Sequence, residues 1–350
     1  MIKKFSSKSG YEKLILKAEI FTILPDKIRV AVIYRENWPF FSPNYRDNTL
    51  YYFFMHAMPR NPKIEVEFFC TKEKFDTSTL KHRSDVIILP DNRAPHIPDE
   101  LVSIKETKIP VISRTGDPHT IKQYNRLSFH QSHCIQYYFG PMTADYFHKF
   151  YPKEFRFKFI MAGLEPQLYT KIKPFNERID NKILNSGNVG NPKLKSRVAN
   201  AILNPKKSSW YFYKLRTLCN KLPYVDYSGY SGNSYVHKDY PSYVSSYKAA
   251  IAASTHYAVI KYLEIAAAGC LTFMEVSQKN SDATLLGFRD YENAIFINEN
   301  NYKQRFEKFI SDPDNPQWEK IAKNGREHTM NNLNNDEAVK LLIDVMEEII

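Results

Sequence analysis

Short apolar runs separated by helical stretches, in two successive series, constrain this chain more than any other feature. Residues 27–34, 66–70, 85–90, 109–113 and 134–139 each read as a strand. Val86-Ile87-Ile88-Leu89 is apolar at every position, as in a parallel sheet covered on both faces. Between these runs, helices are expected at residues 99–105 and 143–150, and Asp47-Asn48 can cap one reaching about His56. Residues 157–174 break the pattern as a linker. Alternation then resumes, with strands at 182–187, 225–227, 249–253 and 294–297 and helices at 195–203, 210–222 and 239–247. Three helices follow, at 303–310, 317–324 and 336–350. Strands alternating with helices predict an α/β fold of two Rossmann-like, doubly wound domains facing a central cleft. The expected boundaries are an N-terminal helical extension at 1–26, a first domain at 27–165, a second at 166–335, and a last helix at 336–350 that crosses back to the first domain.

At 350 residues the chain is long for one core, which favours two domains. Hydrophobic residues make up 43% and charged residues 25%, an ordinary soluble balance, and no apolar run is long enough for a bilayer. Met1-Ile2-Lys3-Lys4 has no apolar core behind it and does not read as a signal peptide. Cys70, Cys134, Cys219 and Cys270 are far apart and lack metal-ligand spacing, so they read as reduced cysteines of a cytoplasmic protein. The formal net charge of +11 favours anionic partners, although the basic residues are scattered. Residues 9–24 can form a basic amphipathic helix, which either packs on the protein or touches anionic lipid as a peripheral contact.

The chemistry concentrates in Lys261-Tyr262-Leu263-Glu264-Ile265-Ala266-Ala267-Ala268-Gly269-Cys270-Leu271-Thr272-Phe273, a short helix that stops at a glycine and enters a strand. Lys261 and Glu264 are three apart and share a helix face. Alanines keep the helix slim, and Gly269 fits the left-handed residue that ends many helices. An ammonium can meet phosphate oxygens while a carboxylate accepts from ribose hydroxyls. By itself the segment reads first as a surface ion pair on an alanine-rich core helix.

Its neighbours in the chain give it company. Gly163-Leu164-Glu165-Pro166-Gln167-Leu168-Tyr169 with Pro174, then Ser186-Gly187-Asn188, then Val225-Asp226-Tyr227-Ser228-Gly229, then Lys261-Tyr262-Leu263-Glu264 with Ala267-Ala268-Gly269, occur in that order. Together with the tail Ile321-Ala322-Lys323-Asn324-Gly325-Arg326, they resemble the motifs of GT-B fold glycosyltransferases. The nearest variants are the spore-maturation type and, more remotely, phage DNA β-glucosyltransferases. The resemblance covers about Gly163 to Ile350 and is only topological before that.

The resemblance implies a donor site and a cleft. Glu264 would bind the nucleotide's ribose and Lys261 its diphosphate. A second phosphate contact is implied for Lys193, Lys195 or Arg197 after the Gly187 turn, where a helix start favours an anion; a solvated basic helix start is the alternative. Tyr227, Gly229 and Tyr230 would line the base pocket. Many retaining members carry a glutamate eight before the ribose-binding one; that position is His256, which either bonds the sugar or pyrophosphate or is structural. In the first half, Arg114-Thr115-Gly116-Asp117-Pro118-His119 follows a parallel strand, so Asp117, or else His119, is the candidate base of an inverting reaction. Asp117-Pro118 is also a good helix start. Arg35-Glu36-Asn37-Trp38 would face the same cleft.

The expected activity is therefore a hexosyltransferase-type, metal-independent transfer from a nucleoside-diphosphate sugar such as a UDP-sugar. No cofactor is needed; the donor is a substrate. The acceptor class, whether glycan, lipid-linked, protein or nucleic acid, stays open, as do stereochemistry and oligomeric state. The competing expectations are a nucleic-acid-binding or DNA-modifying protein, for which the sequence has the positive charge but no basic stripe with stacking aromatics, and a non-catalytic nucleotide-sugar-binding protein of the same fold.

Overall fold

The structure, a computed structural model, describes residues 27–36, 52–93, 95–116, 126–190, 193–203, 209–228 and 239–350. The expected N-terminal helix at residues 9–24, Asp117, His119, Gly229 and Tyr230 lie outside these, as do Asn37 and Trp38.

Among the described residues of the first half are eight strands: β1 (Ile28–Arg35), β2 (Ile64–Thr71), β3 (Lys74–Asp76), β4 (Val86–Leu89), β5 (Glu100–Val102), β6 (Val111–Arg114), β7 (Ile135–Gly140) and β8 (Arg156–Phe159). Six of them make a parallel sheet in the order β2-β1-β4-β6-β7-β8, and β3 pairs with β5 in a separate ribbon. The second half holds β9 (Ile179–Ser186), β10 (Val225–Ser228), β11 (Tyr247–Ala252), β12 (Leu271–Glu275) and β13 (Ile295–Ile297), parallel in the order β10-β9-β11-β12-β13. Both orders reverse direction once, between β1 and β4 and between β9 and β11. Crevices at such switch points, beyond the strands' carboxyl ends, are where open α/β sheets bind ligands.

Alternate side chains of one strand serve opposite faces. Ile183, Ala249, Ile251 and Phe273 pack with Leu215, Phe306 and Trp318 on one face of the second sheet. Leu184, Ala250, Ala252 and Met274 pack with Tyr262, Leu263, Ala266 and Ala267 on the other. Small residues on strand and helix alike let the Lys261–Ala267 helix lie close to the sheet.

Three readings from sequence change here. The helix expected at 210–222 is two, Ser209–Phe212 and Lys214–Cys219. Residues 99–105 are not one helix: Glu100–Val102 is β5, held by its pairing with β3 and by burial of Leu101, and a helix runs only from Ile104 to Thr107. Residues 157–159, expected as the start of the linker, belong instead to the edge strand β8, where Arg156-Phe157-Lys158-Phe159 pairs along one side only. Of the four cysteines, all free, Cys219 and Cys270 are buried while Cys70 is exposed.

The last helix, Asn335–Ile349, packs on the first half. Val339, Leu342, Ile343 and Met346 join Val30, Val32, Phe54, Ile88 and Phe139 in one cluster. At the crossing, Asn335 Oδ1 accepts from the Gly163 amide (2.7 Å) and the Asn335 amide donates to the Leu164 carbonyl (3.0 Å). Arg60 ties Glu165 (3.1 Å) to Asp336 (2.8 Å). Leu342 is fully buried, so Leu342→Ala is expected to cost about 2–5 kcal/mol through lost burial and a residual cavity. A denaturation midpoint close to wild type would show that this helix adds little to the first half's stability.

Candidate functional site

The site is built at the β9/β11 switch point. Strand β9 ends at Ser186, and Gly187 follows with φ +103°, a conformation that L side chains rarely adopt. A Cβ at Gly187 would stand 2.9 Å from Lys261 Cε and 3.2 Å from an Arg216 guanidinium nitrogen. The bare turn therefore lets two cationic side chains approach the backbone together. Gly187→Ala meets both obstacles, the positive φ and the missing space, and is expected to displace Lys261 and Arg216 and to cost about 1–3 kcal/mol of stability. A denaturation midpoint checks this; wild-type stability would contradict it.

Lys261 opens the helix Lys261–Ala267. Its Nζ donates to the Tyr240 hydroxyl at 2.6 Å, lies 4.4 Å from the centre of the Tyr240 ring, and stands 3.7 Å from Glu264 Oε2. Tyr240 in turn shares a 2.9 Å hydrogen bond with the Ser186 hydroxyl. Burial lowers the Lys261 pKa, but Tyr240 and Glu264 outweigh it and raise it above the ordinary value. Glu264 is 2% exposed. The helix ends as its sequence requires: the Gly269 amide (φ +70°) donates to the Ala266 carbonyl and the Cys270 amide to the Ile265 carbonyl, a Schellman pair. Arg178 donates to the Ala268 and Gly269 carbonyls at 3.0 and 2.7 Å, and Arg326 donates to the Ala267 carbonyl. These contacts lock the helix that carries Lys261 and Glu264.

Arg216 is the residue that sequence reading missed. Its helix, Lys214–Cys219, buries Leu215 and Cys219 against Ile183, Ala249 and Ile251, and Arg216 is itself 2% exposed. Its Nη1 donates to the Asn188 carbonyl (3.2 Å), and the guanidinium lies 4.8 Å from the Tyr213 ring centre. Among the described residues its Nε and Nη2 are buried without a hydrogen-bond acceptor. A buried guanidinium with two idle donors is costly unless something completes it. The sequence signal was an arginine inside the apolar run Leu215-Arg216-Thr217-Leu218-Cys219. Glu275, also unmarked by sequence reading, ends β12 at 4% exposure, with its Oε2 buried and unbonded among the described residues.

His256 lies where the two halves meet. Its ring stacks on Tyr146 of the first half (5.6 Å, 20°) and contacts Tyr211 (4.2 Å) and Phe212 (5.6 Å) of the second. Neighbouring Tyr257 packs into the first half's core. Asn280 Nδ2 donates to the Ser254 carbonyl at 2.6 Å and Asp282 accepts from the Ala258 amide at 2.8 Å, fixing the loop from both ends. Tyr146 follows β7 and His256 follows β11, so the carboxyl edges of the two sheets face each other here.

The other residues singled out from sequence fall as follows. Lys193 and Lys195 are exposed at the start of the helix Leu194–Leu203; Arg197 is in that helix, its side chain outside the described part. The guanidinium at the Gly187 turn is that of Arg216, which comes from a different helix. Tyr227 is half-exposed at the end of β10; burial pushes its phenol up and nearby Arg216 pulls it down. Arg114 and Thr115 are buried at the end of β6, just before Asp117. Among the described residues no three His, Cys, Asp or Glu side chains cluster as metal ligands, and no helix is long and apolar enough to cross a membrane.

No protein-family model and no curated protein sequence matches the chain. Solved structures do. A glycosyltransferase from Rickettsia africae ESF-5 is 11% identical, with 93% of this chain and 99% of that one covered at a TM-score of 0.56. An alpha-glucosyltransferase in complex with UDP is 11% identical over 92% of this chain and all of that one, at 0.55. Anabaena Alr3699/HepE in complex with UDP and glucose is also 11% identical over 92% of this chain and all of that one, at 0.52. Likeness over nearly whole lengths at such identity establishes the fold: this chain has the two-domain GT-B architecture.

Proposed function

We propose that this chain transfers a sugar from a nucleoside-diphosphate sugar to a hydroxyl acceptor. The observation that carries the reading is the convergence of Lys261, Arg216 and Glu264 beside the Gly187 turn, at the switch point of the second sheet. Lys261 Nζ and the idle Nε and Nη2 of Arg216 would take the diphosphate oxygens, and the Glu264 carboxylate the ribose hydroxyls. Tyr227, Gly229 and Tyr230 would receive the base. As the glycosidic bond breaks, negative charge grows on the leaving diphosphate, and cations held in place beforehand stabilise it without reorganising. His256, between Tyr146 and Tyr211, would lie at the sugar or pyrophosphate. The acceptor would enter from the first half, where Asp117 or His119 would take its proton in an inverting reaction. The donor would thus sit on residues 166–335 and the acceptor on residues 27–165, with closure of the two expelling water.

The relatives in fold carry matching ligands, UDP in the alpha-glucosyltransferase and UDP with glucose in HepE. A nucleic-acid acceptor is the second reading, favoured by the +11 charge and by an alpha-glucosyltransferase solved with UDP-glucose and DNA. The test is release of nucleoside diphosphate from UDP-glucose and other nucleotide sugars, with glycan, lipid-linked, protein and DNA acceptors. Acceptor-dependent release is expected for one donor. A donor that binds and is never consumed would make the protein a nucleotide-sugar binder, and salt-dependent DNA binding without any donor would make it a nucleic-acid-binding module.

A further inference from the structure

The helix Leu194–Leu203 turns apolar side chains outward. Leu194, Val198 and Ile202 are 69%, 50% and 74% exposed. Residues four apart step about 40° round a helix, so the three form one stripe about 80° wide. A surface helix ordinarily lays such a stripe on the core. Single exposed aliphatic side chains are common, but an aligned row of them gains nothing from folding and marks a contact surface. Lys195, also exposed, borders the stripe, where a long side chain can keep its charge in water while its neighbours are covered. The surrounding sequence carries one sign of charge: between Asp180 and Asp226 lie nine lysines and arginines and no aspartate or glutamate. The approach to the helix is anchored. The Gly190 amide donates to Thr217 Oγ1 at 2.6 Å, and a Cβ at Gly190 would stand 2.6 Å from the Trp210 backbone. Thr217 adjoins Arg216, so the stripe is tethered beside the Gly187 turn.

We propose that this face docks on an anionic lipid surface, with Leu194, Val198 and Ile202 entering the boundary between headgroups and acyl chains and the lysines beside them meeting the headgroups. A bilayer offers both things the face lacks. Hydrocarbon takes the three aliphatic side chains out of water, and anionic headgroups complement a segment with no negative charge of its own. Nucleic acid offers phosphates to the lysines but nothing apolar to the stripe. A second copy of this chain, docked by the same face, would set positive charge against positive charge. The proposal stands apart from the donor-site reading, since it uses none of the residues assigned there to the nucleotide.

The experiment is co-sedimentation of the full chain with vesicles of phosphatidylcholine alone and of phosphatidylcholine and phosphatidylserine in equal parts. Wild type is expected to sediment with the mixed vesicles, less so as salt is raised, and weakly with phosphatidylcholine alone. The double variant Val198→Gln with Ile202→Gln keeps the charge and removes most of the stripe; its partitioning should fall at least about tenfold. Lys195→Gln keeps the stripe and should lose about fivefold on the mixed vesicles. All three positions are exposed, so melting temperatures should match wild type and a loss of binding cannot be put down to unfolding. Failure of folded wild type to sediment would overturn the proposal. Equal sedimentation of the double variant would place the lipid contact elsewhere on the chain and overturn it too. So would a wild-type dimer, or binding to duplex DNA, that the double variant loses in protein indifferent to vesicles, which would assign the face to a second copy or to nucleic acid.

Discussion

Glu264→Ala is expected to weaken nucleotide-sugar binding about 100-fold while leaving the protein folded. The carboxylate is 2% exposed and stands 3.7 Å from the Lys261 ammonium. Hydrogen bonds to a charged acceptor contribute about 1.5–3 kcal/mol each, and a ribose offers two hydroxyls. Folding should survive because Lys261 keeps its 2.6 Å bond to Tyr240, and the helix keeps its Schellman end and its clamp from Arg178. Glu264→Gln separates the two contributions. It keeps the shape and one acceptor oxygen but loses the charge, and should fall between Ala and wild type. Titration calorimetry gives the affinities, and circular dichroism with a melting temperature gives the control. Unchanged affinity in folded Glu264→Ala would remove the ribose assignment.

Arg216→Ala is the second large effect. Two guanidinium nitrogens have no acceptor among the described residues, and the side chain stands beside the same turn as Lys261. Removing one preorganised donor of developing charge costs about 10²–10³ in rate. A loss of that order in kcat/KM for donor turnover is expected, with kcat reduced more than binding, because the charge grows as the bond breaks. Truncating a buried arginine also opens a cavity, so Arg216→Lys is the companion variant. Lysine retains the charge and stem but lacks the planar fork, and recovery should be partial. Wild-type turnover in both folded variants would show that Arg216 is purely a core residue bridging Asn188 and Tyr213.

Much of this arrangement could be read from residues alone. The two parallel sheets follow from runs such as Val86–Leu89 and from the resumed alternation after residue 180, because strands covered on both faces must be apolar throughout. Lys261 and Glu264 share a face by helix geometry, and Gly269 ends the helix as a positive-φ residue must. Other parts depend on contacts that no local pattern encodes. β5 is a strand because β3 lies beside it, and Glu100-Leu101-Val102 carries too few residues for a period to show. β8 is an edge strand whose alternation of charged and aromatic residues suits a one-sided position and resembles a loop. Arg216 reaches the Gly187 turn from a helix 29 positions further along, and only the packing of Leu215 and Cys219 aims it there. Lys193, Lys195 and Arg197 follow the turn directly in sequence, and in the fold Lys193 and Lys195 are exposed at the start of their helix. His256 was legible as a departure from a family pattern, but its place between Tyr146 and Tyr211 belongs to the meeting of the two halves.

The central claim is that the switch point of the second sheet holds a nucleoside diphosphate. The most direct test is the melting temperature of wild type and of Lys261→Ala against a panel of nucleoside diphosphates and nucleotide sugars. A ligand that binds only the folded state must raise the melting temperature, by RT ln(1 + [L]/Kd) in stability. The expected result is a clear rise for one base in wild type and its loss in Lys261→Ala. No rise with any nucleotide in folded wild type, or an equal rise in Lys261→Ala, would contradict it.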